Sequence, residues 1–101
     1  MFHLVKVVEK FGPSRLVQMR GQIDIMANIL NEAVEGAKKT RIMYRCNLSY
    51  RQLQRYLKLL LGMKLLRAVS EKESSKTLFF ETTEKGQDFL LAYGRLKALL
   101  V

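Results

Sequence analysis

Arg51, Gln54, Arg55 and Lys58 are the side chains of this 101-residue sequence whose types and spacing best suit shared chemistry. Projected at about 100° per residue with Leu53 as origin, they fall on one arc from roughly 100° to 200°. Leu57, Leu60, Tyr56, Leu61 and Tyr50 lie within roughly 80° of Leu53 and form an apolar arc. Leu59 falls on a third side, where packing against the preceding helix is expected. Guanidinium and ammonium groups bind anionic oxygens, and Arg and Gln can each make two parallel hydrogen bonds to a flat donor–acceptor edge. The residues around them must therefore build a helix with one packed face and one cationic face.

These four belong to a longer acid-free stretch. From Gly36 to Ser70 there is no Asp or Glu, while Lys38, Lys39, Arg41, Arg45, Arg51, Arg55, Lys58, Lys64 and Arg67 supply nine positive charges. The chain carries +9 in total, so everything outside this stretch is neutral. Such a patch points to a polyanionic partner, with nucleic acid foremost. A basic run can also be no more than a solvated face. Here it is interleaved with Tyr44, Asn47, Tyr50, Gln52, Gln54 and Tyr56, and it lacks the acids that a solvated helix uses for i, i+4 pairing.

Several function classes are excluded or disfavoured. The only histidine is His3 and the only cysteine is Cys46. There is no Gly-rich phosphate loop, no Ser-His-Asp set and no pair of carboxylates on a common helical face, so a non-enzymatic protein with no cofactor, metal or small-molecule substrate is expected. Met26, Met43 and Met63 read as core fillers, since no His, Cys or acidic cluster accompanies them. Cys46 can form no internal disulfide. Arg45 beside it can lower its pKa, but a small residue at a packed corner is the preferred reading. The longest uncharged run, Ile25 to Asn31, has seven residues against the roughly 20 needed to span a bilayer. Lys6, Glu9 and Lys10 interrupt the apolar start before a secretory signal can form, so a cytoplasmic protein is expected, nucleoid-associated if its polyanionic partner is chromosomal DNA.

The elements that would position the cations can be read in order. Residues 1–12 contain a short strand or frayed helix, ended by Gly12, Pro13 and Ser14. A helix is clear from Gln22, with Ile23, Met26, Ala27, Leu30 and Val34 at helical spacing and Gly36 as its stop. Ile25 and Ile29 form a second face, buried on a second side or used in a dimer. Lys39 to Cys46 reads as a short helix with Thr40 as its cap, Ile42 and Met43 turned inward, and Arg41 and Arg45 outward. Asn47 tolerates the positive φ of a tight corner, Leu48 plugs it, and Ser49 caps a third helix from Tyr50 to about Met63. Two β-prone runs around EKESSK form a hairpin. A last helix is capped near Thr83, and in it Phe89, Tyr93, Leu96 and Leu100 recur with heptad-like spacing. The fold class is mainly α with a small β-hairpin, a winged helix-turn-helix followed by a C-terminal dimerisation helix. The expected division is an N-terminal extension at 1–21, the winged domain at 22–82 and the C-terminal helix at 83–101.

The run KKTRIMYRCNLSYRQLQRYLKLL, followed by FFETTEKGQDFL, resembles the archaeal winged-helix DNA-binding proteins, in particular small basic chromatin-associated and regulator-like members. The shared pattern is KT-x-IMY-x-x-x-LSY-x-x-L-x-x-YL, and the likeness covers about Gln22 to Leu91. It implies a homodimer joined through the C-terminal helices, with the third helix and the wing on double-stranded DNA. Three features depart from the pattern. Cys46 stands where a small residue is usual, Lys64 stands where Gly is usual, and the C-terminal helix is short.

On this reading Arg51, Gln54, Arg55 and Lys58 enter a major groove, where Arg pairs with guanine and Gln with adenine. Lys38, Lys39, Arg41 and Arg45 meet the phosphate backbone. Thr40 and Ser49 act first as caps and second as phosphate donors, while Tyr44 and Tyr50 can reach a phosphate through their hydroxyls. Lys72, Ser74, Ser75 and Lys76 are the wing candidates, opposed by Glu71 and Glu73. The dimer interface is expected at Phe89, Tyr93, Leu96, Leu99 and Leu100; Phe89 and Tyr93 can also pack under the first helix, and the competing explanation is that the stripe covers residues 1–12 of the same chain. A winged-helix subunit docking to an acidic protein partner is the alternative function. RNA binding is weaker still, because no exposed aromatic platform is evident.

Overall fold

The computed structural model describes residues 13–70 and 78–100, the stretch 13–20 as backbone only. Helix α1 (Pro13–Glu32) is followed by strand β1 (Ala37–Lys38), α2 (Lys39–Arg45), α3 (Tyr50–Gly62), β2 (Leu66–Ser70), β3 (Leu78–Thr82) and α4 (Glu84–Leu99). The strands form one antiparallel sheet in the order β1-β3-β2, with Ala37 opposite Phe80, Leu66 opposite Thr82 and Ala68 opposite Phe80. Residues 1–12 and the wing loop at 71–77, with Lys72, Ser74, Ser75 and Lys76, lie outside the described residues.

Helix α1 runs through the middle of the molecule and touches α2, α4 and β3. Ile29 and Leu30, adjacent in sequence, are both fully buried, because neighbours cover the helix on more than one side. Ile42 from α2, Leu53, Leu57 and Leu60 from α3, and Leu66 and Phe80 from the sheet close one core around them. Each such side chain contributes about 1.5–3 kcal/mol on leaving water.

Two turns carry the geometry of the helix-turn-helix. Cys46 caps α2 and Asn47 has φ +54°. The Leu48 amide donates to the Met43 carbonyl at 3.0 Å, and the Asn47 amide donates to the Tyr44 carbonyl at 3.3 Å. That pair of bonds is a Schellman closure, which needs a left-handed residue that Asn supplies at low cost. The end of α3 is built the same way, with Leu65 donating to the Leu60 carbonyl and Lys64 to the Leu61 carbonyl. Here the left-handed residue is Lys64, at φ +61°, in the place where the resemblance expects Gly.

The start of α4 is fastened to that same corner. The Thr83 hydroxyl accepts from the Gly86 amide and donates to the Lys64 carbonyl at 2.7 Å, while Lys85 Nζ donates to the Met63 carbonyl at 2.9 Å. A Cβ on Gly86 would stand 2.2 Å from the Leu65 carbonyl oxygen, so this crossing admits no side chain.

Several expectations are corrected by the structure. Helix α1 starts at Pro13, upstream of Gln22. Of the two readings of the second face of α1, burial holds for Ile29, which lies wholly in the protomer's own core, while Ile25 is partly buried against it. Val34 is 37% exposed instead of lining the inward stripe, because it lies beyond the last turn of α1. Thr40 caps nothing, since α2 begins one residue earlier with Lys38 at the cap position and no side-chain cap bond. Leu59 is exposed and does not pack against the preceding helix. The hairpin is joined by a third strand, β1, which the sequence reading did not foresee.

Candidate nucleic-acid interface

The Ser49 hydroxyl accepts from the Gln52 amide at 3.2 Å, and Gln52 Oε1 accepts from the Ser49 amide at 3.0 Å. This reciprocal capping box starts α3 cleanly and confirms Ser49 as the cap. With Leu53, Tyr56, Leu57 and Leu60 buried, the opposite face of α3 is set. Arg51, Gln54, Arg55 and Lys58 are all exposed along it. Among the described residues Arg51, Arg55 and Lys58 have no ion-pair partner. Arg55 and Lys58 also border a recess with Gln22, Tyr56 and Leu59, which brings the N-terminal half of α1 beside α3. Gln22 and Leu59 had no sequence signal as site residues, because only the folded packing of α1 puts them there.

Tyr50 has two readings from its sequence position, a ring packed on the apolar arc and a hydroxyl reaching outward, and at 60% exposure it does not pack in the core. It stands on the first residue of α3, at the edge of the arc, where no element overlies it. Its hydroxyl accepts from Gln54 Nε2 at 2.8 Å and from Lys39 Nζ at 3.4 Å, and the Lys39 ammonium lies 4.7 Å from the ring centre. Lys39, Tyr50 and Gln54 thus form one group across the α2–α3 junction.

Helix α2 presents a mixed face. Thr40, Arg41 and Tyr44 are exposed, Tyr44 at 83%. Arg45 is also exposed, but its Nε lies 3.6 Å from Glu32 Oε1 on α1. Arg41 borders a polar recess that includes Glu32 and Glu35. The acid-free stretch in sequence is therefore bordered by acids in space. Lys38 lies with its ammonium 5.7 Å from the Phe79 ring of β3. Cys46 has its thiol pKa raised, by burial first and by the Glu32 charge second, which runs against the activated thiolate considered from the sequence and favours the corner-residue reading.

Along α4 the candidate pairing residues divide. Phe89 packs against the core, and the Tyr93 hydroxyl donates to Asp24 Oδ1 of α1 at 2.5 Å. Leu96, Leu99 and Leu100 are 45%, 82% and 55% exposed, and Leu91 joins them at 65%. Among the described residues no helix is long and apolar enough to cross a membrane, and no three His, Cys, Asp or Glu side chains converge on a metal-sized site.

The chain is similar to proteins of the same architecture. The family model described as winged helix-turn-helix matches residues 19–100. Sso10a-2, a DNA-binding protein from Sulfolobus solfataricus, aligns with TM-score 0.65 and 26% identity over 76% of this chain and 78% of that one. An apo mutant of ZitR from Lactococcus lactis aligns with TM-score 0.66 and 14% identity over 96% of this chain and 74% of that one; against another ZitR structure the match spans 50% of the ZitR chain. A variant of MepR from S. aureus, bound to an oligodeoxyribonucleotide, aligns with TM-score 0.66 and 13% identity over 98% and 75%. No curated protein sequence matches the chain. The element order, the sheet and the extent of the family match lead to one conclusion: this chain belongs to the winged helix-turn-helix family.

Proposed function

We propose that the chain is a double-stranded DNA-binding protein, a transcriptional regulator or architectural chromatin protein that inserts α3 into the major groove. The observation that carries this reading is the outer face of α3, where Arg51, Gln54, Arg55 and Lys58 are exposed and the three cations lack ion-pair partners among the described residues. Cations held out of ion pairs on a rigid helix are available to phosphate oxygens and base edges. The likeness to Sso10a-2, itself a DNA-binding protein, supports it. Lys38, Lys39, Arg41 and the hydroxyls of Tyr44 and Tyr50 then grip the backbone, and the protein works at the chromosome in the cytoplasm.

We further propose a homodimer paired through α4, since Leu91, Leu96, Leu99 and Leu100 are apolar and exposed along one helix. A two-fold pair would set two α3 helices on successive major grooves, about 34 Å apart.

Titration on duplex DNA at several salt concentrations tests the reading. With about five phosphate contacts per protomer, log K falls with log salt at a slope near −4 to −5. Absence of duplex binding, or tight binding with a slope near zero, would refute it.

A further inference from the structure

Tyr50, Gln54 and Lys39 are joined in a way that does more than place three polar groups on a surface. A phenolic oxygen has two lone pairs and one proton. Gln54 Nε2 and Lys39 Nζ donate to that oxygen at 2.8 Å and 3.4 Å, so both lone pairs are engaged. Among the described residues nothing accepts the Tyr50 proton, so a ligand oxygen can take it. Gln54 has one N–H committed to Tyr50 and keeps Oε1 and its second N–H for a ligand. Tyr50 is exposed, so its hydroxyl is not there to satisfy a buried partner. The Lys39 charge polarises the hydroxyl and strengthens it as a donor.

A lone Gln on an exposed helix face samples many rotamers and gives them up on binding. Here the side chain is tied back one helical turn before any ligand arrives. Resting on the DNA-binding reading above, we infer that Tyr50 is a positioning residue that presents Gln54 as the reader of an adenine, while the Tyr50 O–H and Lys39 hold the adjacent phosphate. Adenine offers an N6–H donor and an N7 acceptor in the major groove, the complement of Oε1 and the remaining N–H. Base reading and backbone grip are thus coupled through a single hydroxyl.

The test uses Tyr50→Phe, which keeps the ring beneath Lys39 and removes only the hydroxyl. Preferred duplexes are selected from a random pool by the wild type. Affinity for selected and scrambled duplexes is then measured at two salt concentrations for the wild type, Tyr50→Phe, Gln54→Ala and the double variant. The expected result is an adenine enriched at one position of the selected sites. Tyr50→Phe should lower the selected-over-scrambled ratio about threefold to tenfold, the worth of one oriented hydrogen bond. Gln54→Ala should lower it at least as far, the double variant no further, and Tyr50→Phe should leave the salt slope unchanged. A ratio that survives Tyr50→Phe, additive losses in the double variant, or a wild type that binds duplexes tightly without enriching any adenine would overturn the inference and leave DNA binding standing. A wild type with no duplex affinity defeats the underlying reading, and the inference with it.

Discussion

The Thr82 hydroxyl donates to the main-chain carbonyl of Leu30 at 2.5 Å, across 52 positions of sequence, and the Thr82 amide donates to the Ala33 carbonyl at 2.9 Å. One residue at the end of β3 thereby gives a further donor to two carbonyls at the C-terminal end of α1, where Leu30 also accepts from the Ala33 amide and Ala33 from the Gly36 amide. Thr82 is 3% exposed and is the single buried polar residue among those described. Thr82→Val keeps the shape and the amide bond while deleting the hydroxyl. It should cost about 1–2 kcal/mol of stability, read as a lower denaturation midpoint at unchanged m-value.

Lys64 occupies left-handed backbone at φ +61° and is exposed. A residue with a Cβ loses roughly 1–2 kcal/mol in that conformation, part of which Gly returns through its greater freedom when unfolded. Lys64→Gly should therefore stabilise the fold by about 0.5–1 kcal/mol, with DNA affinity at fixed salt nearly unchanged. A lower melting temperature in this variant would contradict the strain account.

Arg55 and Leu57 are two positions apart and point opposite ways, one exposed and the other 3% exposed. Arg55→Ala should weaken duplex binding by about 1–3 kcal/mol with little movement in melting temperature. Leu57→Ala should cost about 2–5 kcal/mol of stability by opening a cavity among Leu53, Leu60 and their neighbours. The reverse pattern would mean that α3 buries the other face.

Pairing through α4 can be checked by sedimentation. Ile29 belongs to the protomer's own core, so the association must rest on Leu91, Leu96, Leu99 and Leu100. At about 25 cal/mol per Å², such side chains supply several kcal/mol, part of which is lost to association entropy. The wild type should sediment as a dimer at high micromolar concentration, and a variant carrying both Leu96→Glu and Leu100→Glu as a monomer with an unchanged melting curve when dilute. A monomeric wild type at high concentration disproves the pairing.

Helix α3 was legible because its signals agree. The apolar residues recur at 3.6-residue spacing, Ser49 caps the start with Gln52 closing the box, and Asn47 suits the left-handed corner before it. The hairpin and the Thr83 cap were legible on similar local grounds. What failed depended on contacts distant in sequence. Strand β1 has two residues and no period of its own; it is a strand only because Phe79 and Phe80 pair with it. One miss is local: Gly12, Pro13 and Ser14 read as a break, although Pro at a first helical position gives up no needed hydrogen bond. Tyr50 lies at the margin of the apolar arc, and no projection of α3 alone could show that nothing covers it. The Glu32–Arg45 pair joins two helices, so a charge count along the chain could not reveal it.

Because β3 is paired on both sides, β2 is the five-residue edge strand of the sheet among the described residues. Open edges of that kind template sheet growth between molecules, and Val69 and Leu78 leave apolar surface beside this one. Arg67 stands on that edge, ion-paired to Glu81 on the neighbouring strand. A second copy stacking in register would have to bring a like charge against it and strip water from both ions. A charge at that place opposes in-register stacking of copies, a bearing on solubility that belongs to a cation outside α3.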